Sequence, residues 1–184
     1  MKAEATSIEG CYLLEPNLFT DKRGYFFESF NQQKFEDIVG TAINFVQDNQ
    51  SKSSKGVLRG LHYQKGTFAQ AKLVRVLEGE VLDVVVDLRM DSATYKNVFA
   101  TTLSQENKKQ VFIPRGCAHG FLTLSDSATF FYKCDNLYYK EAEAGIRYDD
   151  PELAIDWKLA EHELIISEKD MILPYFNQTE KTAL

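Results

Sequence analysis

The amino-acid sequence predicts an all-β fold, an antiparallel barrel or sandwich built from short strands. Segments rich in β-branched and aromatic residues recur along the middle of the chain, and polar or Gly-containing turns separate them roughly every ten residues. Aromatic residues make up 12% of the 184 residues, with 13 Phe and 9 Tyr against one Trp. This composition also favours strands, because flat side chains pack well on a pleated surface.

One segment near the N-terminus has helical periodicity. Phe35, Ile38 and Val39 fall at positions i, i+3 and i+4, and Gly40 follows as a C-terminal stop. The pattern predicts a helix over residues 31–39.

The middle of the chain reads as consecutive strands. Residues 73–77 and 81–88 are largely apolar and flank Gly79, which predicts a strand pair joined by a Gly-centred turn. Further strands are predicted at 98–103, 111–113, 121–124 and 128–133. After residue 140 the chain is more polar, which predicts short helices or loops over the end of the barrel. No linker divides the chain, so residues 1–184 are predicted to form a single domain.

Charge and cysteine content narrow the function classes. The net charge of −6 argues against nonspecific binding to nucleic acid or to anionic membranes. Cys11, Cys117 and Cys134 form no C-x-x-C pair, which predicts reduced thiols in a cytoplasmic protein. The N-terminus lacks the apolar run of a signal peptide, and no apolar stretch approaches the roughly 20 residues that span a bilayer.

Two histidine-containing segments point to a site. Residues 58–64 read Leu-Arg-Gly-Leu-His-Tyr-Gln, and residues 114–121 read Pro-Arg-Gly-Cys-Ala-His-Gly-Phe. The second segment resembles the P-x-G-x-x-H motif of the cupin jelly roll, which predicts a cupin-type antiparallel barrel with a few short peripheral helices. The first cupin motif carries H-x-H, but here Gln64 stands at the second His after His62. A catalytic metal needs about three good protein ligands, so no metal site is predicted.

Without a metal, the imidazoles can act directly on protons, since an ordinary His titrates near neutral pH. Residues 58–64, which include Arg59, also look like a strand, and Lys72 begins the next one. Cations on barrel strands need partners if they are buried. They indicate either an anionic ligand or an internal carboxylate network. In the second alternative, Asp83 and Asp87 would pair with Lys72 and Arg75.

Over nearly its whole length the chain resembles the dTDP-4-dehydrorhamnose 3,5-epimerase family. The matching stretches lie at residues 14–16, 21–29, 45–49, 56–64, 71–75, 79–81, 87–89, 113–121, 132–133, 155–157 and 167–170. The resemblance implies a cupin fold, no metal or organic cofactor, and a homodimer that shares strands between subunits.

The resemblance also implies residue roles. His62 corresponds to the general base, Asp170 to its carboxylate partner, Tyr132 to the acid on the opposite face of the sugar, and Lys72 to the cation that steadies the enolate. Tyr138 corresponds to the aromatic residue that stacks on thymine, although a one-residue slip would give this role to Tyr139. The other positions implied to contact substrate are Arg23, Glu28, Gln47, Asp48, Asn49, Arg59, His119, Glu143 and Lys169.

The implied reaction is epimerisation of dTDP-4-dehydro-6-deoxy-D-glucose at carbons 3 and 5 to dTDP-4-dehydro-L-rhamnose, in dTDP-L-rhamnose biosynthesis. Three alternatives stay open on the residues: a single-carbon epimerase of a related deoxysugar pathway, a nucleotide-sugar-binding module and a metal-dependent cupin oxygenase. Gln50 is one departure from the family pattern, at a place where many members carry His.

Overall fold

The structure is a computed structural model that describes residues 1–179, and it contains two antiparallel sheets that face each other. Two α-helices, α1 (Gln32–Val39) and α2 (Glu168–Met171), lie outside the sheets. The strands in chain order are β1 (Lys2–Ala5), β2 (Tyr12–Glu15), β3 (Phe19–Asp21), β4 (Gly24–Phe26), β5 (Gln47–Ser54), β6 (Val57–Gln64), β7 (Lys72–Glu78), β8 (Glu80–Asp87), β9 (Val98–Ser104), β10 (Gln110–Ile113), β11 (Cys117–Thr123), β12 (Ser127–Cys134), β13 (Glu143–Gly145) and β14 (Ile165–Ile166).

The first sheet has the order β1-β2-β10-β7-β12-β5, and the second has the order β13-β6-β11-β8-β9. The short strand β14 adds to β6 in parallel, and β3 and β4 form a separate two-stranded hairpin. This arrangement confirms the predicted cupin-type antiparallel jelly roll.

The interior between the sheets is filled by alternate residues of facing strands. On β8, Val81 and Val85 point inward, whereas Leu82, Val84 and Val86 point to the outer face. Because both faces of β8 are covered, the strand reads in sequence as a continuous apolar run.

Each sheet is covered on its outer side. Helix α1 packs Phe35 against Leu14 and Phe112 of the first sheet. Asn31 caps this helix by accepting from the Lys34 amide, and Gly40 ends it in the left-handed conformation, so the helix prediction is confirmed.

The segment after residue 140 covers the outer face of the second sheet. Ile146, Tyr148, Leu153, Trp157 and Phe176 pack against the outward side chains of the second sheet. The prediction that this segment lies over the end of the barrel was therefore wrong, because the apolar outer face of β8 and its neighbours requires the cover.

The predicted hairpin of residues 73–77 and 81–88 is also wrong. β7 and β8 belong to different sheets, with β7 between β10 and β12 and β8 between β11 and β9. Gly79 is a corner at which the chain crosses between the sheets, with φ of 79°. A Cβ atom there would collide with the backbone of Ser127, so only glycine fits this corner.

Neither helix within residues 1–179 is long and apolar enough to cross a membrane.

Candidate active site

A cleft of about 660 Å³ opens between the two sheets. Its walls come from β5, β7 and β12 of the first sheet and from β6 and β11 of the second, and residues 165–170 form one rim. Ten of the predicted site residues line it: Asn49, Arg59, His62, Lys72, His119, Tyr132, Tyr138, Glu143, Lys169 and Asp170.

His62 and Asp170 form a hydrogen-bonded pair in this cleft. The His62 Nε2 atom lies 2.7 Å from the Asp170 Oδ1 atom, and the Asp170 side chain is 5% exposed against 29% for His62. Burial alone would raise the pKa of Asp170, but the bond from His62 and the Gly60 amide outweigh it and hold the pKa below its ordinary value. The carboxylate is therefore ionised at neutral pH and fixes the orientation of the imidazole.

Local structure explains how two residues so far apart in sequence meet. β14 pairs in parallel with the start of β6, which lays the following residues along that strand. Ser167 then caps α2 by accepting from the Asp170 amide at 3.1 Å. This short helix directs the Asp170 carboxylate at His62.

A second histidine–carboxylate pair lies beside the first. His119 is the register partner of His62 across β11 and β6, so both imidazoles stand on the same face of the sheet. The His119 Nε2 atom lies 2.8 Å from Asp83 Oδ2, and both side chains are buried.

The carboxylate network of the second alternative is not formed by hydrogen bonds, although the charge of Asp83 still acts on Lys72. Asp83 bonds to His119, and Asp87 bonds to Arg89, Ser92 and Thr94. Neither forms a hydrogen bond to Lys72 or Arg75 among the contacts of residues 1–179, because Asp87 lies at the far end of β8 in a turn-capping cluster.

Two glycines permit the close approach of β6 and β11. A Cβ atom on Gly60 would lie 2.6 Å from the Cα atom of Gly120, and one on Gly120 would lie 2.7 Å from the carbonyl oxygen of Arg59. Any side chain at either place would push the strands apart, and with them His62 and His119.

Lys72 and Tyr132 occupy the opposite wall, on the first sheet. The Lys72 Nζ atom lies 5.9 Å from the centre of the Tyr132 ring, and within residues 1–179 it has no hydrogen-bonded carboxylate. Burial lowers the pKa of Lys72 and raises the pKa of Tyr132, in each case because the charged form is desolvated. A protonated phenol and a poorly solvated amine thus face the same cleft.

The outer rim of the cleft is a polar cluster of three side chains. Tyr138 donates its hydroxyl to Glu143 Oε2 at 2.8 Å, and the Lys169 Nζ atom lies 2.7 Å from the same oxygen. Burial alone would raise the pKa of Glu143, but the bonds from Lys169 and Tyr138 lower it. Tyr139 does not line the cleft; its ring stacks on Phe68 with 4.1 Å between ring centres.

β5 contributes polar groups along one side. The amide of Asn49 reaches the Cys134 sulfur at 3.7 Å, and Gln47 donates to Asn49 Oδ1 at 3.0 Å. Arg59, on β6, donates to Ser53 at 3.1 Å and leaves the rest of its guanidinium in the cleft.

The sequence matches one protein family over almost its whole length. The family model described as dTDP-4-dehydrorhamnose 3,5-epimerase matches residues 5–178. The dTDP-4-dehydrorhamnose 3,5-epimerase of Escherichia coli K12 is 51% identical over 170 residues, covering 92% of this chain and 91% of that protein. The chain belongs to the dTDP-4-dehydrorhamnose 3,5-epimerase family. It is accordingly an isomerase that acts as an epimerase.

Solved structures of the epimerase family share the same fold. The enzyme from Elizabethkingia anophelis superposes with a TM-score of 0.94 at 54% identity, covering 96% of this chain and 97% of that one. The enzyme from Legionella pneumophila, in complex with dTDP-4-keto-L-rhamnose, gives 0.92 at 47% identity over 96% and 93% of the two chains. A 3′-monoepimerase from Streptomyces bikiniensis in complex with dTDP-quinovose matches at 34% identity and a TM-score of 0.86, over 92% and 85% of the chains.

Four of the site residues that the epimerase resemblance implies lie outside the cleft walls. Gln47 does not line the cleft but donates a hydrogen bond to Asn49, which does. Asp48 points to the other face of β5, where it pairs with Lys133. Arg23 pairs with Asp21 on the exposed β3–β4 hairpin, and Glu28 pairs with Lys34 just after that hairpin.

Sequence reasoning missed several residues that shape this cleft. The bond between Asp83 and His119 was not predicted, and the roles of Gly60 and Gly120 were not recognised, although a glycine within each histidine-containing strand was a visible signal. Ser167 three residues before Asp170 is a helix-capping pattern that could have located α2. Within residues 1–179, no three His, Cys, Asp or Glu side chains group as ligands for a metal ion.

Proposed function

We propose that this chain epimerises dTDP-4-dehydro-6-deoxy-D-glucose at carbons 3 and 5 without a cofactor, giving dTDP-4-dehydro-L-rhamnose. One observation carries the proposal: His62 on the second sheet, paired with Asp170 of α2, faces Tyr132 and Lys72 on the first sheet across one cleft. Inverting a carbon centre requires a proton acceptor on one face of the sugar and a proton donor on the other.

His62 is the proposed general base. Its Nε2 atom is held by the ionised Asp170, so its other nitrogen, Nδ1, can take the proton from the carbon beside the ketone. The carboxylate stabilises the imidazolium that forms, as in other histidine–carboxylate pairs.

Lys72 is the proposed stabiliser of the enolate. Removal of a proton beside a ketone moves negative charge onto the carbonyl oxygen, and a cation held in a poorly solvated cleft acts most strongly on that developing charge. Tyr132, whose raised pKa keeps the phenol protonated, then delivers a proton to the opposite face.

The nucleotide part of the substrate is assigned to the rim. The Arg59 guanidinium suits a diphosphate, and the exposed Tyr138 ring suits a flat base. The Legionella relative binds dTDP-4-keto-L-rhamnose, and a relative from Bacillus anthracis, 44% identical, carries TDP and PPi, which supports a dTDP-sugar as the ligand here.

A homodimer is proposed to complete the site. The β3–β4 hairpin exposes Phe19, Tyr25 and Phe26, and β5 is an edge strand of the first sheet. Exposed aromatic residues and a free strand edge favour association with a second copy. Arg23 and Glu28 would then reach the cleft of the partner rather than their own.

Deuterium incorporation tests the reaction. The protein is incubated with the keto sugar in D₂O, and the product is read by NMR; label at both carbons 3 and 5 is expected. Label at carbon 3 or carbon 5 alone would replace the proposal by a single-carbon epimerase, and no label would favour a binding module. His62→Ala is expected to abolish exchange while dTDP still binds, and retained exchange would place the base elsewhere.

Mixing two inactive variants tests the dimer. If Arg23 acts in the partner's cleft, Arg23→Ala and His62→Ala subunits together rebuild one complete site per mixed dimer. Random pairing would then recover about a quarter of the wild-type activity. No recovery after exchange of subunits would place Arg23 in its own cleft or outside the site.

A further inference from the structure

Gln64 has an unusual pair of hydrogen bonds at the end of β6. The residue is 5% exposed, and its side-chain amide bonds to both backbone groups of a single residue in another segment. The Nε2 atom donates to the carbonyl oxygen of Tyr139 at 3.1 Å, and the Oε1 atom accepts from the amide of Tyr139 at 2.9 Å. The side chain thus imitates a neighbouring strand and satisfies both backbone groups of Tyr139.

Tyr139 is also held from the side of its ring. Phe68 stacks on it with an angle of 10° between the planes and 4.1 Å between ring centres. The preceding residue, Tyr138, is tied at its amide by Gln47 Oε1 at 3.0 Å. The backbone of this segment is therefore fixed on three sides.

The fixed backbone leaves the Tyr138 ring free for a ligand. The residue is 51% exposed and lines the cleft, and its hydroxyl bonds to Glu143 on the rim. Successive side chains of an extended segment point to opposite sides, so holding Tyr139 against Phe68 directs Tyr138 into the cleft.

We propose that Gln64 and Phe68 are positioning residues that hold Tyr139 so that the Tyr138 ring is preorganised to stack on the nucleobase. This inference rests on the proposed function, since it requires a nucleoside at Tyr138. Gln64 stands where metal-binding cupins carry their second imidazole, and here the same strand position organises nucleotide binding instead of a metal. Preorganisation increases affinity because the free protein has less freedom to lose when the ligand binds.

The test compares dTDP with inorganic pyrophosphate, which lacks the base, in calorimetric titrations of Gln64→Met. Loss of the two bonds is expected to weaken dTDP binding about tenfold, whereas pyrophosphate binding stays within about twofold. Gln105→Met is the matched control, because Gln105 also accepts from a backbone amide, that of Gly79, but does not line the cleft. It is expected to bind both ligands like the wild type.

A double-mutant cycle identifies the ring through which Gln64 acts. Tyr138→Ala alone should weaken dTDP binding, and adding Gln64→Met should cause less than about a twofold further loss. If the two losses multiply instead, Gln64 does not act through Tyr138 and the inference is overturned. Should Gln64→Met not fold, the exposed Phe68→Leu takes its place, with the same selective loss of dTDP affinity expected.

The outcomes separate the inference from the proposed function. If the wild type binds dTDP and Gln64→Met binds it equally well, the inference is refuted and the proposed function is not. An equal loss of dTDP and pyrophosphate affinity in Gln64→Met refutes the inference in the same way. Failure of the wild-type protein to bind dTDP would refute both.

Discussion

Replacing Lys72 by methionine is expected to make the fold more stable while removing most of the proton exchange. The Lys72 Nζ atom lies near the Tyr132 ring, and among the described residues 1–179 it has no hydrogen-bonded carboxylate. Methionine has a similar length and an apolar tip, so it can occupy the same space between β7 and β12.

The stability change follows from the lowered pKa of Lys72. The folded protein holds this proton less tightly than the unfolded chain, so burying the cation destabilises the fold. Each unit by which the pKa is lowered corresponds to about 1.4 kcal/mol. The cost is fully present below the folded pKa and disappears as the pH rises towards 10.5, the ordinary value for lysine. At pH 7 the variant should therefore be more stable than the wild type, and this difference should shrink as the pH rises towards 10.5.

The loss of activity follows from the enolate. Removing one group that stabilises a developing oxyanion in a poorly solvated site slows catalysis by about 10²–10³-fold, or about 2.7–4 kcal/mol. Deuterium wash-in from D₂O measures the exchange rate, and urea unfolding at pH 7 and above pH 10 measures stability.

Lys52→Met is the matched control, because Lys52 forms an exposed ion pair with Glu78 on the same sheet. Lys52→Met should leave the exchange rate unchanged and should change the stability by no more than about 0.5 kcal/mol. If Lys72→Met kept the wild-type exchange rate, the enolate would be stabilised by another group. If the variant were less stable at pH 7, the reasoning about the buried cation would be refuted.

Three further changes test other parts of the structure. Tyr132→Phe should slow product formation by at least about 10²-fold. Deuterium exchange into the substrate through His62 should persist, because the proton can return to the face that it left, and NMR of the recovered substrate measures this exchange. Inversion at the wild-type rate would exclude Tyr132 as the acid. Burial alone would raise the pKa of Asp87, but bonds from Arg89 and two hydroxyls lower this pKa to about 2. The ionised carboxylate therefore stabilises the fold above pH 3.8, and this stabilisation is lost as the pH falls towards 2. Asp87→Asn should lower the free energy of unfolding by about 2 kcal/mol at pH 7, and urea unfolding should show that this free energy depends less on pH between 3.8 and 2. The same pH dependence as in the wild type would contradict this. Gly120→Ala should lower the stability of the fold by about 1–3 kcal/mol and slow deuterium exchange, because the added Cβ atom meets the backbone of β6. Thermal stability and exchange both equal to those of the wild type would contradict the close-packing argument.

The sequence located elements wherever the decisive interactions are local. Helix α1 was predictable because its apolar spacing, its Asn31 cap and its Gly40 stop all lie within ten residues. Most strands from residue 73 to residue 133 were visible in the same way, because they carry runs of β-branched and aromatic residues. Strand β5 (Gln47–Ser54) has no such residue and was not predicted. The histidines of the cleft were recognisable because short motifs surround them, and the epimerase resemblance then suggested Asp170 as the partner of His62.

Which surfaces meet was decided only by the tertiary structure. Residues on both sides of Gly79 look like a hairpin, yet β7 and β8 enter different sheets, because each pairs along both of its edges with other strands. Asp83 reads in sequence as a counter-ion for any nearby cation, and it bonds to His119 because β8 and β11 are neighbours. The same physical reason applies to Gln64, whose bonds to Tyr139 join residues 75 positions apart in sequence. Local patterns fix the conformation of a segment, whereas side-chain partners depend on which segments the core brings together.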